Sequence, residues 1–323
     1  VGNTVANVAI NGNGSTITND IDFANDGTLQ LGDATGDTLT FNGGLDTSDV
    51  GGTVTLNGTI DTSNDAITFG AVTLGSATTI DTNATNTTGD LTIGAVTGGS
   101  NNLTLTTGDN VANSDITASG AISGLGNLTL ADVGGTATFS ANVAAAALSA
   151  DSTVANLVFT GASNTFSAAS TLANDGTLQF GDATGDSFTF NGGLTTSDVG
   201  GTVTLNTSIS TSNDALVFGA ITLGNNITLD TNATNTTGDL TIGAVTGGSN
   251  TLTLSTENNI ANADITASGA ISGVTTLTIS NAGGTATLSG DVDVTTLAVG
   301  NTVANVAING NGSTITNDID FAN

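Results

Sequence analysis

The feature that most constrains this chain is repetition on three nested scales. Residues 1–25, VGNTVANVAINGNGSTITNDIDFAN, return unaltered as residues 299–323, so the sequence repeats over 298 residues. Inside that period lies an imperfect one of half the length. ANDGTLQLGDATGD from Ala24 matches ANDGTLQFGDATGD from Ala173, and DTNATNTTGDLTIGAVTGGSN occurs from Asp81 and again from Asp230, both at an offset of 149. The finest period emerges from short apolar-polar-apolar triplets: TLQL at Thr28, TVTL at Thr53, TTID at Thr78 and NLTL at Asn102 and Asn127 follow at steps of 24 or 25. Six such steps fill the 149 residues, about 25 residues each. A self-similar period of this size marks a repeat architecture in which each unit buries its apolar side chains only against its neighbours.

Each unit carries further pieces of the same kind, such as TLTF at Thr38, AITF at Ala66, DLTI at Asp90 and AVTL at Ala71. Alternation over four or five positions, rich in Val, Ile, Thr and Phe and bounded by Gly, Asn and Asp, is the pattern of half-buried strands. No segment has helical spacing. The expected fold is all-β: a parallel β-solenoid with three short strands and about 25 residues per coil, some thirteen coils in all. It is read as one continuous solenoid over residues 1–323 without separate globular domains, with repeat units 1–149 and 150–298 and residues 299–323 opening the next copy. Strand parity turns Leu29 and Leu31 inward and Gln30 outward, and does the same for Leu103 and Leu105 around Thr104. Phe41 and Phe69 are expected to stack inside the coil, as are Phe190 and Phe218. Thr40, Thr68, Thr92, Thr117 and Thr138 are expected to form an outward column.

Composition decides what such a solenoid can do. The 28 acidic side chains face no Lys, Arg or His, giving a net charge of −28, and Pro, Cys, Met, Trp and Tyr are also absent. Without cations there is no footprint for a phosphate backbone, so nucleic acid is not the expected partner. Without Cys or His there is no thiolate or imidazole ligand, and only oxygen-bound hard cations remain as candidate metals. Acid–base and nucleophilic catalysis are reduced to carboxylates and hydroxyls, so no enzyme is expected. No run of some 18 apolar residues marks a membrane span. Only Glu257 among the acidic residues is a glutamate, which fits aspartate as a turn residue that hydrogen-bonds to its own backbone.

The phrases DITASGAISG at Asp115 and Asp264, LTIGAVTGG at Leu91 and SNDAITFGAVTLGSATTIDT at Ser63 resemble the repeats of giant secreted bacterial adhesins of the filamentous-haemagglutinin type. The likeness covers nearly the whole chain and is one of repeat style. It implies a right-handed parallel β-helix that is exported and works at the cell surface or beyond it, and it brings no catalytic residue with it.

The candidate cation ligands are the repeated aspartates, Asp33, Asp37, Asp81 and Asp90 with their counterparts Asp182, Asp186, Asp230 and Asp239. GDATGD around Asp33 and Asp37 is the nearest approach to a paired-carboxylate site. DTNATNTTGD from Asp81 opens like a calcium loop but lacks the Gly and distal Glu of an EF-hand. Calcium is therefore a possible ligand, set against solvated turn aspartates. Eleven asparagines head glycosylation sequons, Asn57, Asn83, Asn102, Asn206, Asn226 and Asn232 among them, a number that the abundance of Ser and Thr explains. The functional expectation is a structural segment of an extracellular filament or cell-surface fibre, associating end to end or as tandem copies and bundling laterally through divalent cations. The alternative is the shaft of a giant adhesin whose binding tip lies elsewhere. An ice-binding solenoid and a carbohydrate-active β-helix are more remote readings.

Overall fold

The computed structural model describes residues 1–86, 89–235, 238–257 and 260–322. Among them there is no helix, hence none long and apolar enough to cross a membrane, and the strands pair in parallel. The fold is a parallel β-solenoid. The chain divides into two compact units, Val1–Gly161 with Asn174–Gly176, and Ala162–Ala173 with Thr177–Asn323.

In the first unit the short strands form three stacks. One runs through Val8, Leu29, Val54, Val72, Val96, Ile122 and Val143, each beside the next in register. A second runs through Ser15, Leu39, Ile60, Ile80, Leu105, Leu130 and Ala150. The third runs through Ile21, Leu45, Ile67, Leu91, Ile116, Ala137 and Leu157. Most triplets bury their first and third residues and leave the middle one half-exposed, as in Leu29–Leu31, Ile67–Phe69 and Leu91–Ile93, whereas Val8–Ile10 and Ser15–Ile17 of the first turn bury neither. The core is thus a column of Leu, Ile, Val, Ala and Phe enclosed by three narrow sheets, and parity places Gln30 and Thr104 outward as the sequence indicates.

The second unit repeats the plan. Leu178, Val203, Ile221, Val245, Ile271 and Val292 make one stack. Asn164, Phe188, Ile209, Leu229, Leu254, Ile279, Val299 and Phe321 make another. Ser170, Leu194, Leu216, Leu240, Ile265, Ala286 and Val306 make the third.

The turns differ in length. One full turn leads from Val54 to Val72, and another, longer by nearly half, leads from Val96 to Ile122. The corners account for this. The strand Val54–Thr62 passes from one stack to the next without a loop, because Gly58 takes a φ of 73°, a conformation open to glycine at no steric cost. The longer turn carries a loop over residues 109–115 in which Asn110 and Asn113 take φ of 57° and 70°.

Variable corners put the 149-residue period out of step with the turn. Val8 belongs to the Leu29 stack, and six turns later that stack reaches Val143. Leu157, which is Val8 advanced by 149 residues, lies two faces further, beside Ala137 in the Leu45 stack. The second unit shows the same slip: Thr165 pairs with Thr189 in the Phe188 stack, while Thr314, 149 residues on, pairs with Asp293 next to Val292. One sequence repeat therefore advances six and two-thirds turns.

Three expectations change accordingly. TVTL at Thr53 is followed in its stack by AVTL at Ala71, and TTID at Thr78 lies in the neighbouring stack. Thr68, Thr92, Thr117 and Thr138 do form an outward column, but Thr40 sits beside Thr16 and Asp61 in another. Phe41 faces Ile17 and Thr62, and Phe69 faces Ile93. Rings that do stack include Phe139 with Phe159 at 4.9 Å and Phe166 with Phe190 at 4.8 Å, separations at which offset aromatic pairs are favourable, while Phe218 lies beside Thr196.

Candidate functional site

The repeated aspartates mark the corners of the solenoid, and backbone amides already claim most of them. The Asp37 carboxylate closes the GDATGD turn: its Oδ2 accepts the N–H of Asp33 at 2.8 Å and of Ala34 at 2.9 Å. These two donors hold Asp37 below the usual carboxylate range, whereas Asp33 is raised, chiefly by its hydrogen bond to Asp37. In the second unit Asp186 accepts from Asp182 and Ala183 at 2.9 and 3.0 Å. The paired carboxylates of the sequence are in both units a self-bonded turn.

Asp90 and Asp239 do different work. Asp90 Oδ1 accepts the N–H of Asp115 at 3.0 Å, and Asp115 Oδ1 accepts that of Thr136 at 2.7 Å. Asp239 and Asp264 repeat the series toward Asp264 and Thr285 at 3.0 and 2.6 Å. Asn102 caps Asn127 N–H at 2.8 Å in the same manner, and Asn226 caps Thr251 at 2.9 Å. Each side chain at the head of a triplet thus satisfies the first amide of the turn next to it, a donor that would otherwise lack a strand partner. Sequence reasoning missed this role, although its signal is visible: Asp or Asn stands immediately before LTI, ITA and LTL at spacings of one turn.

Asp81 and Asp230 sit at the corners that feed the DTNATNTTGD segments, of which Thr87, Thr88, Thr236 and Thr237 lie outside the described residues. Each accepts an N–H two residues on, Asn83 at 2.8 Å and Asn232 at 3.0 Å. Asp81 lies directly beside Asp61 in the ladder. Burial raises Asp81 first, and the charges of Asp61, Asp132 and Asp109 add to it; burial likewise raises Asp61 and Asp230. Behind this corner runs an internal hydroxyl ladder. Thr62 donates to the Thr82 carbonyl at 2.9 Å, Thr82 to that of Thr107 at 3.2 Å and Thr107 to that of Asp132 at 2.9 Å. These three hydroxyls are satisfied by carbonyls of the next turn without a water.

Among the described residues no group of three or more carboxylates is placed to hold a metal ion. Of the eight candidate aspartates, Asp33 with Asp37 and Asp182 with Asp186 are brought together as pairs. Four sequon asparagines have their amide nitrogen engaged: Asn57 and Asn206 donate to the carbonyls of Gly32 and Gly181, and Asn83 and Asn232 to those of Thr62 and Thr211. An open groove of about 520 Å³ in the second unit runs over the Gly273 bulge past Ser249, Thr275 and Thr314, with Asp293 the one charged residue lining it. Asp293 is itself bonded to the Thr314 amide at 3.0 Å.

What these corners do chemically is hold backbone. No protein-family model, curated protein or solved structure matches the chain.

Proposed function

We propose that the chain is a repeat module of an extracellular or cell-surface fibre, a rod lengthened by adding turns. The observation that carries this reading is that the second copy of the 25-residue segment pairs in register with the turn before it. Asp293 pairs with Thr314, Leu297 with Ile319 and Val299 with Phe321. A sequence that restarts inside its own sheet supports growth by tandem or end-to-end copies, since each interior turn hydrogen-bonds on both sides. The missing residues favour a setting outside the cell: trypsin-like proteases have no Lys or Arg to cut after, and the oxidation-prone Met and Cys are gone. A charge of −28 without any counter-cation keeps neighbouring rods apart until divalent cations bring them together. The resemblance to adhesin repeats supports a second reading, a shaft that presents a binding tip. Electron microscopy of the native object, with its full-length gene, separates the two. Uniform threads support the fibre and a rod with a nonrepetitive terminal domain supports the adhesin; a compact particle contradicts both.

A further inference from the structure

Outside the repeated 25-residue segment the chain has three Asn–Gly pairs, Asn42–Gly43, Asn57–Gly58 and Asn191–Gly192, and the fold treats them differently. Asn42 and Gly43 are the middle residues of a corner closed by the Gly44 N–H, which donates to the Phe41 carbonyl at 3.0 Å. Asn191 and Gly192 hold the same place in the second unit, where Gly193 donates to Phe190 at 2.8 Å. In both corners the asparagine is half-buried. Its own N–H is fixed by the turn before, Asn42 to the Ile17 carbonyl at 2.8 Å and Asn191 to that of Phe166 at 2.7 Å. Among the described residues, neither its carboxamide nor the N–H of the following glycine has a hydrogen-bond partner. The glycine is fixed by packing: a Cβ on Gly43 would lie 2.2 Å from the Asp20 backbone nitrogen, and one on Gly192 would lie 2.3 Å from the Ala168 carbonyl carbon. Asn57 is held differently. It is 6% exposed, its carboxamide donates to the Gly32 carbonyl at 3.0 Å, and Gly58 lies within the strand Val54–Thr62.

We propose that Asn191–Gly192 and Asn42–Gly43 are sites of spontaneous self-modification, at which a neutral asparagine becomes a carboxylate without an enzyme. The glycine N–H gives up its proton, the nitrogen attacks the asparagine Cγ, and ammonia leaves as a five-membered succinimide closes. Water then opens the ring. Cleavage of the new bond between the glycine nitrogen and Cγ gives an aspartate in the normal chain. Cleavage of the original peptide bond gives an isoaspartate, whose main chain runs through Cβ and Cγ. Each conversion consumes one water and releases one ammonia. Either product adds a negative charge to the −28 of the chain, so the acidity of the surface rises with the age of the protein, and the isoaspartyl form also lengthens a corner that is bonded to the turn before. The two sites differ in rate. Gly43 and Gly44 line an open groove with Asp20, Asp46 and Asp65, and these charges oppose loss of the Gly43 proton. In the second unit Ala169 and Thr195 stand where the first has Asp20 and Asp46, so Asn191 converts first. Reaction at Asn57 would leave the Gly32 carbonyl without its buried donor, which slows that pair by about tenfold or more.

The test incubates the intact folded chain in mildly alkaline buffer beside a sample in denaturant. Each site is followed by peptide mass and by labelling with a methyltransferase specific for isoaspartate. The amide-to-acid mass change is expected at Asn191 first and at Asn42 second, with Asn57 about tenfold or more behind until denaturant releases it. Asp46→Thr, which copies Thr195, is expected to speed conversion at Asn42 and to leave Asn191 unchanged. An Asn191 that stays intact in the folded chain, or an Asn57 that keeps pace with it, overturns the proposal. A rate at Asn42 equal to that at Asn191, or unmoved by Asp46→Thr, overturns the role given to the neighbouring carboxylates.

Discussion

Val54 and Val72 lie side by side in register, joined by a turn much shorter than the step between triplets in the sequence. Their outward neighbours Thr55 and Thr73 pair in the same ladder. A chain carrying Thr55→Cys and Thr73→Cys is expected to close an intramolecular disulfide on mild oxidation, and one carrying Thr55→Cys and Thr79→Cys is not. Closure of the second pair alone would show turns of uniform length, each as long as the triplet step.

The strands, their parity and the parallel stack were legible because each triplet states its own inside and outside. Which triplet lies above which was not. Leu29–Leu31, residues 54–56, 72–74 and 103–105 all read as apolar, polar, apolar, and any of them fits any of the three stacks. The register is decided at corners such as Gly58 and the loop over 109–115, where a single φ or a few extra residues move the chain by a face. The aspartates were legible as corner residues for the same reason that their bonds were not. Composition shows that Asp is a turn former, but whether a carboxylate closes its own turn, as Asp37 does, or caps the next one, as Asp90 does, depends on that register.

Gly58→Ala tests the tight corner. A Cβ at this position would lie 2.3 Å from the Asp37 carbonyl oxygen, and φ is 73°. Strain and displacement together are expected to destabilise the fold by more than about 1 kcal/mol, read as a lower midpoint in urea. An unchanged midpoint would place Gly58 in an open loop.

Asp37 and Asp81 should respond to pH in opposite senses. Asp37 is lowered by the amides of Asp33 and Ala34, so its stabilisation is present above the unfolded carboxylate value of about 3.9 and is lost as pH falls through the folded one. Asp37→Ala is therefore expected to lower the melting temperature at pH 7 and to have little further effect at pH 2.

Asp81 is raised by burial and by Asp61. Its contribution is greatest when protonated, below the unfolded value of about 3.9, and is lost as pH rises through the folded one. Asp81→Asn keeps a carbonyl to accept the Asn83 amide and is expected to raise the melting temperature at pH 7, with the gain fading below pH 4. A loss of stability at pH 7 would mean that the charge at this corner is held by an ion, and a chelator would then reproduce it.

Ile80 is fully buried between Ile60 and Leu105. Ile80→Ala is expected to cost about 2–5 kcal/mol. Because a stacked array transmits stability only between neighbours, hydrogen exchange should accelerate most in the turns around residues 54–62 and 103–108. A uniform rise along the whole chain would contradict nearest-neighbour stacking.

The most direct test of a fibre built by stacking turns is diffraction from aligned filaments of the native assembly. Parallel strands lying across the rod should give a meridional reflection at about 4.8 Å, the spacing between neighbouring strands. A reflection at that spacing on the equator, or its absence from ordered filaments, would contradict the stack.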